Sequence, residues 1–143
     1  MEEVLKILVV DDEPEARELL KYMLLETKGI AVVGLAGSVD EALILLHKKH
    51  PDLVLLDIQM PEKDGFHFIE QVNGTGKDPG IIFVTAYDHY AIQAIRNSVF
   101  DYIMKPVHQE ELSNAIERFR QKGRNNQDQD FHQLLEAIRS SVP

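Results

Sequence analysis

No cysteine occurs among the 143 residues, so neither a disulfide framework nor a thiolate zinc site is possible. No apolar run approaches the ~20 residues needed to span a bilayer. A secretory signal needs a basic start and a longer apolar region, whereas Met1-Glu2-Glu3 is acidic and leads straight into a strand. These absences fit a reducing compartment, and a cytoplasmic setting without membrane contact is expected. Positive charge is scarce: 15 Lys and Arg stand against 24 Asp and Glu, a net charge of −9. Tracking a phosphate backbone relies on clustered Lys and Arg, so direct nucleic-acid binding by this chain is not expected. Solubility accounts for most of the acids. A few acids converging on a divalent cation is a sharper reading, compatible with the first.

What is present is a core: 44% of the residues are hydrophobic, enough for one ordinary domain with a short appendage. Strands are expected at 5–10, Ile30–Leu35, Leu53–Leu56, Ile81–Val84 and Phe100–Met104. Helices are expected between and after them. The first, at 15–26, carries Ala16, Leu19, Leu20, Met23 and Leu24 at helical spacing behind Pro14. Ser38 with Glu41 reads as a capping box for the second, whose apolar face is Val39, Ala42, Leu43 and Leu46. Asp64 caps a third at about 65–72, with Phe66 and Ile69 inward, and Asn73–Gly80 is a loop by its turn chemistry. A fourth helix covers about 88–97, and Leu112, Ala115, Ile116 and Phe119 mark the fifth.

This alternation argues for an α/β fold with a parallel sheet covered by helices on both faces. Continuous apolar strands agree, because parallel strands are buried on both sides. Five such units fit the flavodoxin-like doubly wound order 2-1-3-4-5.

Polar groups stand where the strands stop: Asp11-Asp12-Glu13, Asp57, Thr85 and Lys105. In open parallel sheets that edge is where ligands bind. Asp11, Asp12 and Asp57 become neighbours in the 2-1-3 order, and clustered carboxylates raise each other's pKa. A divalent cation relieves this, and oxygen ligands without His or Cys suit Mg²⁺ or Mn²⁺. A carboxylate can also act as a nucleophile toward phosphorus, with a lysine and a hydroxyl holding the remaining oxygens. Singly, each residue has an ordinary explanation: a solvated turn, a loop acid before Pro61, an ST-turn threonine, a surface lysine. Their joint placement at four strand ends is what argues for a site.

Four pieces carry a family resemblance: Ile7-Leu8-Val9-Val10-Asp11-Asp12-Glu13, Leu55–Pro61 with Asp64-Gly65, Phe83-Val84-Thr85-Ala86, and Asp101-Tyr102-Ile103-Met104-Lys105-Pro106. Across residues 4 to about 121 the chain resembles a receiver domain of two-component response regulators. The resemblance implies that Asp57 accepts a phosphoryl group from a histidine kinase. It implies Mg²⁺ held by Asp12, Asp57 and the Gln59 carbonyl, with Asp11 acting mainly through water. It implies Thr85 and Lys105 on the phosphoryl oxygens, a cis Lys105–Pro106 bond, and Tyr102 as the switch aromatic, with Tyr87 and Tyr90 nearby. The face formed by the fourth helix, fifth strand and fifth helix would be the readout, and a homodimer on phosphorylation is expected there.

A finer resemblance, to receivers attached to LytTR-type DNA-binding domains, rests on Thr85–Ala91, Ala94-Ile95 and Phe100-Asp101-Tyr102. It departs from the usual pattern at Val99-Phe100, where a smaller residue is common. It implies transcription control through an output domain absent from this chain. The alternatives are a receiver that works alone or a phosphorelay shuttle. A metal-dependent phosphohydrolase fits less well, because Gln59 stands where most such enzymes need a second acid, and an amide cannot be a general acid. A binding module that never becomes phosphorylated would not need all these groups. The expected product is thus a signalling phosphoacceptor, promoting only its own phosphorylation and dephosphorylation.

Residues 1–121 are expected to be the receiver and 122–143 a polar linker with a short amphipathic helix marked by Phe131, Leu134, Leu135 and Ile138. That helix either packs on its own domain or serves as a connector or self-association element. The six histidines show no ligand spacing, and Gly74-Thr75-Gly76-Lys77 lacks the spacing of a phosphate loop.

Overall fold

The computed structural model describes residues 4–72, 78–87 and 99–123. The expected fourth helix at 88–97, with Tyr90, and the segment from 124 to 143 lie outside them. In chain order the elements are β1 (Leu5–Val10), α1 (Pro14–Leu25), β2 (Ile30–Ala36), α2 (Val39–Lys49), β3 (Leu53–Leu56), α3 (Gly65–Val72), β4 (Gly80–Thr85), β5 (Asp101–Met104) and α4 (Gln109–Arg118). A π-helical segment, Phe119–Gly123, prolongs α4.

All strand pairs are parallel, and the order is β2-β1-β3-β4-β5, as the alternation predicts. The β1–β2 register shifts between Ile7 and Leu8, which pair with Val32 and Gly34, so β2 carries one extra residue there. Successive strand residues face opposite sides. Ile7, Val9, Leu55, Ile82 and Val84 therefore meet Leu20 and Leu24 of α1 and Leu112 and Ile116 of α4. Leu8, Val10, Val54, Leu56 and Phe83 meet Ala42 and Leu46 of α2 and Phe68 of α3. Burial on both faces explains why the strands are apolar without alternation.

Several details differ from the sequence reading. Leu19 is 53% exposed, because it falls about a quarter-turn from the line through Leu20, Met23 and Leu24 that meets the sheet. In α3 the fully buried aromatic is Phe68, while Phe66 and Ile69 pack at the margin. Only half of the capping box forms: Ser38 Oγ accepts from Glu41 N at 3.1 Å, but Glu41 Oε1 accepts from Gly37 N rather than from Ser38. Lys122 and Gly123, expected as the start of a linker, still belong to the terminal helical segment. There Arg120 donates to the Lys28 and Gly29 carbonyls at 2.6 and 2.7 Å, fastening the segment to the end of α1. At the departure from pattern, Val99 is buried and Phe100 meets Phe119 edge-on at 5.2 Å.

Candidate functional site

Main-chain hydrogen bonds continue one step beyond the strand ends. Asp11 N donates to Ala36 O at 3.0 Å, Asp57 N to Val10 O at 2.9 Å, and Lys105 N to Thr85 O at 2.9 Å. The polar residues are thus held by the sheet itself rather than by free loops. Among the described residues, the buried polar and charged side chains are Asp11, Asp57 and Thr85, all three expected at this edge. Burying a charge is costly unless it is paired. The pairing comes from Lys105, whose Nζ lies 2.7 Å from Asp11 Oδ2 and 3.3 Å from Asp57 Oδ2. The Lys105–Pro106 bond is cis, as the resemblance implies.

The remaining acceptors are used locally. Asp11 Oδ1 accepts from Glu13 N at 2.9 Å, and Asp57 Oδ1 accepts weakly from Gln59 N at 3.4 Å. The Thr85 hydroxyl accepts from Tyr87 N at 3.1 Å, and it stands close enough to Asp57 to favour that side chain's charged form. Thr85 thus makes the ordinary turn contact beside Asp57.

Asp57 is pushed above the usual carboxyl range, chiefly by burial and further by the Asp11 charge, against the lowering pull of Thr85 and Lys105. Lys105 is also raised: burial pulls it down, but its bond to Asp11 and the charges of Asp57 and Asp11 outweigh that. The two directions agree physically. The lysine has two acids to hold its proton, while Asp57 has one shared cation and an acidic neighbour.

Carboxylate oxygens of Asp11, Asp12 and Asp57 lie within 4.8 Å of one another. Three carboxylates against one ammonium leave a deficit of two positive charges, and the donors are all oxygen. A hard divalent cation fits such a set. In front lies a cavity of about 560 Å³, lined by Asp12, Asp57, Gln59, Asp64 and Lys105 and by apolar Met60, Phe66, Ala86 and Tyr87. Asp11 and Thr85 stand behind it. Gln59 is exposed at its rim. Tyr102 is partly buried against the α2–α3 side of the core, next to Phe83 in the ladder-bearing sheet, and does not line the cavity.

Gly65, which follows Asp64 in the motif, is spatially demanding. Its N donates to Ile58 O at 2.9 Å, and a Cβ there would stand 2.7 Å from Asp57 O. Between Asp57 and Gly65 the chain turns sharply, with Glu62 at φ +70° and Lys63 N donating to Pro61 O at 2.7 Å. The only signal for Gly65 was a glycine directly behind the capping Asp64, which accepts from His67 N at 3.1 Å.

A five-stranded doubly wound sheet with acids, a hydroxyl and a lysine at its carboxyl edge defines a class of signalling domain, and the comparisons agree. Residues 7–117 match the response regulator receiver domain, and the chain belongs to that family. It is 41% identical over 119 residues to the sensory transduction protein LytT of Bacillus anthracis, covering 83% of this chain and 48% of that protein. It is 40% identical over 125 residues to the transcriptional regulatory protein BtsR of Escherichia coli, covering 87% of this chain and 52% of that protein. The chain thus spans about half the length of these curated relatives. Relatives named LytT agree with the finer resemblance drawn above. Among solved structures it is similar to response regulator TrrA of Thermotoga maritima in complex with Mg²⁺ and BeF, at 36% identity and TM-score 0.70, covering 80% of this chain and 98% of that one. It is also similar to the receiver domain of NarL from Mycobacterium tuberculosis, at 28% identity and TM-score 0.76, covering 85% and 99%. No described helix is long and apolar enough to cross a membrane.

Proposed function

We propose that this chain is a phosphoacceptor that takes a phosphoryl group onto Asp57 from a phosphohistidine of a sensor histidine kinase. The observation that carries this reading is the convergence of a buried, paired Asp57 with Asp12 and Lys105 on one cavity wall and Asp11 directly behind them. An oxygen of Asp57 attacks phosphorus. The phosphorus–nitrogen bond breaks, its electron pair stays on the imidazole, and the product is an acyl phosphate. Asp12, Asp57 and the Gln59 carbonyl would hold Mg²⁺, with Asp11 reaching it through water. The ion supplies charge neutralisation for the phosphoryl oxygens. Lys105 provides the fixed positive charge for one phosphoryl oxygen, and the Thr85 hydroxyl turns to another.

The Thr85 hydroxyl then exchanges its place against Tyr87 N for the phosphoryl group, and Tyr102 moves into the vacated volume. That is a local charge event read out as packing. The β5–α4 face and the helix expected at 88–97 carry the signal, through homodimerisation there and then to an output domain. In this reading the receiver spans 1–121 and residues 122–143 lead onward through a linker and a short amphipathic helix. The setting is cytoplasmic, and DNA is reached through the output domain; the relative BtsR is named a transcriptional regulatory protein. A receiver acting alone or as a relay shuttle uses the same chemistry. The exposed Gln59 amide, unable to protonate a leaving group, argues against a phosphohydrolase.

Incubation with acetyl phosphate and Mg²⁺ tests the proposal. The wild type should gain the mass of one phosphoryl group, and Asp57→Asn should not. A wild type that stays unmodified while a known receiver is labelled in the same buffer would refute it.

A further inference from the structure

We propose that Arg17 is a positioning residue for the metal site, an inference that rests on the phosphoacceptor reading above. Arg17 lies on the first turn of α1, tied by its backbone N to Glu13 O at 3.1 Å. Its guanidinium turns back toward the sheet, and Nη1 donates to the Asp11 carbonyl at 2.7 Å. The carbonyl of Asp11 and the amide of Asp12 belong to one planar peptide unit, so fixing the first fixes the second. On the other side, Asp11 N donates to Ala36 O at 3.0 Å. Asp11 is thus gripped from β2 at its nitrogen and from α1 at its oxygen. Its carboxylate is held as well, by Glu13 N at 2.9 Å and Lys105 Nζ at 2.7 Å.

Asp12 has no comparable set of contacts. The peptide plane on which Arg17 acts places the Asp12 Cα, the point from which its carboxylate reaches the site. The surroundings make room for this contact. A Cβ at Gly37 would stand 3.0 Å from Arg17 Nη1, so the guanidinium lies over a residue with no side chain. Gly37 is itself fixed, its N donating to Glu41 Oε1 at 2.7 Å. Arg17 does not line the cavity and touches no proposed ligand atom, so its effect is on geometry.

Thermal melting of the full chain across a Mg²⁺ series separates the roles. The melting point without metal reports structure, and the Mg²⁺ Kd fitted from stabilisation growing as ln(1 + [Mg²⁺]/Kd) reports the site. Loss of one hydrogen bond that orients a ligand should raise the fitted Kd about fivefold in Arg17→Ala. Arg17→Lys keeps a donor within reach and should remain within about twofold of wild type. Arg17→Gln, similar in bulk, covers the case in which Arg17→Ala does not fold, and should behave like Arg17→Ala. A lowered metal-free melting point with an unchanged fitted Kd would overturn the inference and leave Arg17 structural. A wild type that shows no Mg²⁺-dependent shift would instead overturn the phosphoacceptor reading, and the inference with it.

Discussion

Replacing Lys105 with Met keeps the apolar stem and removes the charge. Two buried carboxylates, Asp11 at 2.7 Å and Asp57 at 3.3 Å from Nζ, then lose their cation. Breaking a buried pair from one side costs about 3–5 kcal/mol. The Lys105 side chain keeps 22% of its exposure, so solvent can reach the wound and the lower end applies, about 3 kcal/mol. For a domain of this size that is a fall of roughly 10 °C in melting temperature. The folded-state pKa of Lys105 is raised above its usual 10.5, so its contribution is fully present below that pH and fades as pH climbs through the folded value. The gap between wild type and Lys105→Met should therefore persist at neutral pH and close in strong alkali. Saturating Mg²⁺ should shrink it, because a divalent cation neutralises the same acids. Calorimetric melts with and without Mg²⁺ measure both effects. A Lys105→Met protein within about 1 kcal/mol of wild type in metal-free buffer, or an equal loss in both buffers, would refute the charge account.

Asp57→Asn should raise the metal-free melting point at neutral pH. Asp57 is raised above 3.8 by burial first, so the folded protein binds its proton more tightly than the unfolded chain. Stability then falls as pH rises from the usual value through the folded one, and asparagine removes that fall. Chemical denaturation at pH 3.5 and 7 checks the sign; a lower midpoint for Asp57→Asn at pH 7 would count against it. Gly65→Ala should slow Asp57 phosphorylation and destabilise by about 1–3 kcal/mol, since its Cβ would meet Asp57 O at 2.7 Å. Phosphorylation rate and melting point of this variant, both unchanged, would show that the loop yields freely.

Much of this was legible in the residues. Leu53–Leu56, apolar without alternation, demanded a strand covered on both faces, and Asp57 directly behind it was fixed at the edge by that demand. What spacing does not reveal is lateral distance. Lys105 reaches Asp11 across β4 and β3, from a position 94 residues away, so the tight pairing of these two appears only once the sheet is assembled. The resemblance assigns Asp11 to the metal and Lys105 to the phosphoryl group, whereas the structure also pairs the two with each other. Helical periodicity likewise could not separate Leu19 from Leu20, because the width of a buried stripe depends on how α1 lies on the sheet. Arg17 gave no sign at all: on a helical wheel it is one charged residue among several, and its role is visible only through the contact with Asp11 O.

The central claim is that the phosphoryl group resides on Asp57 as an acyl phosphate. Borohydride reduces an acyl phosphate to an alcohol, so trapping after Mg²⁺ and acetyl phosphate treatment should convert Asp57 into homoserine, located by fragmentation of the peptide that spans Leu53–Pro61. Homoserine at that position, dependent on Mg²⁺, is the expected result. Reduction at any other acid, or none in a sample that has gained phosphate, would contradict the account.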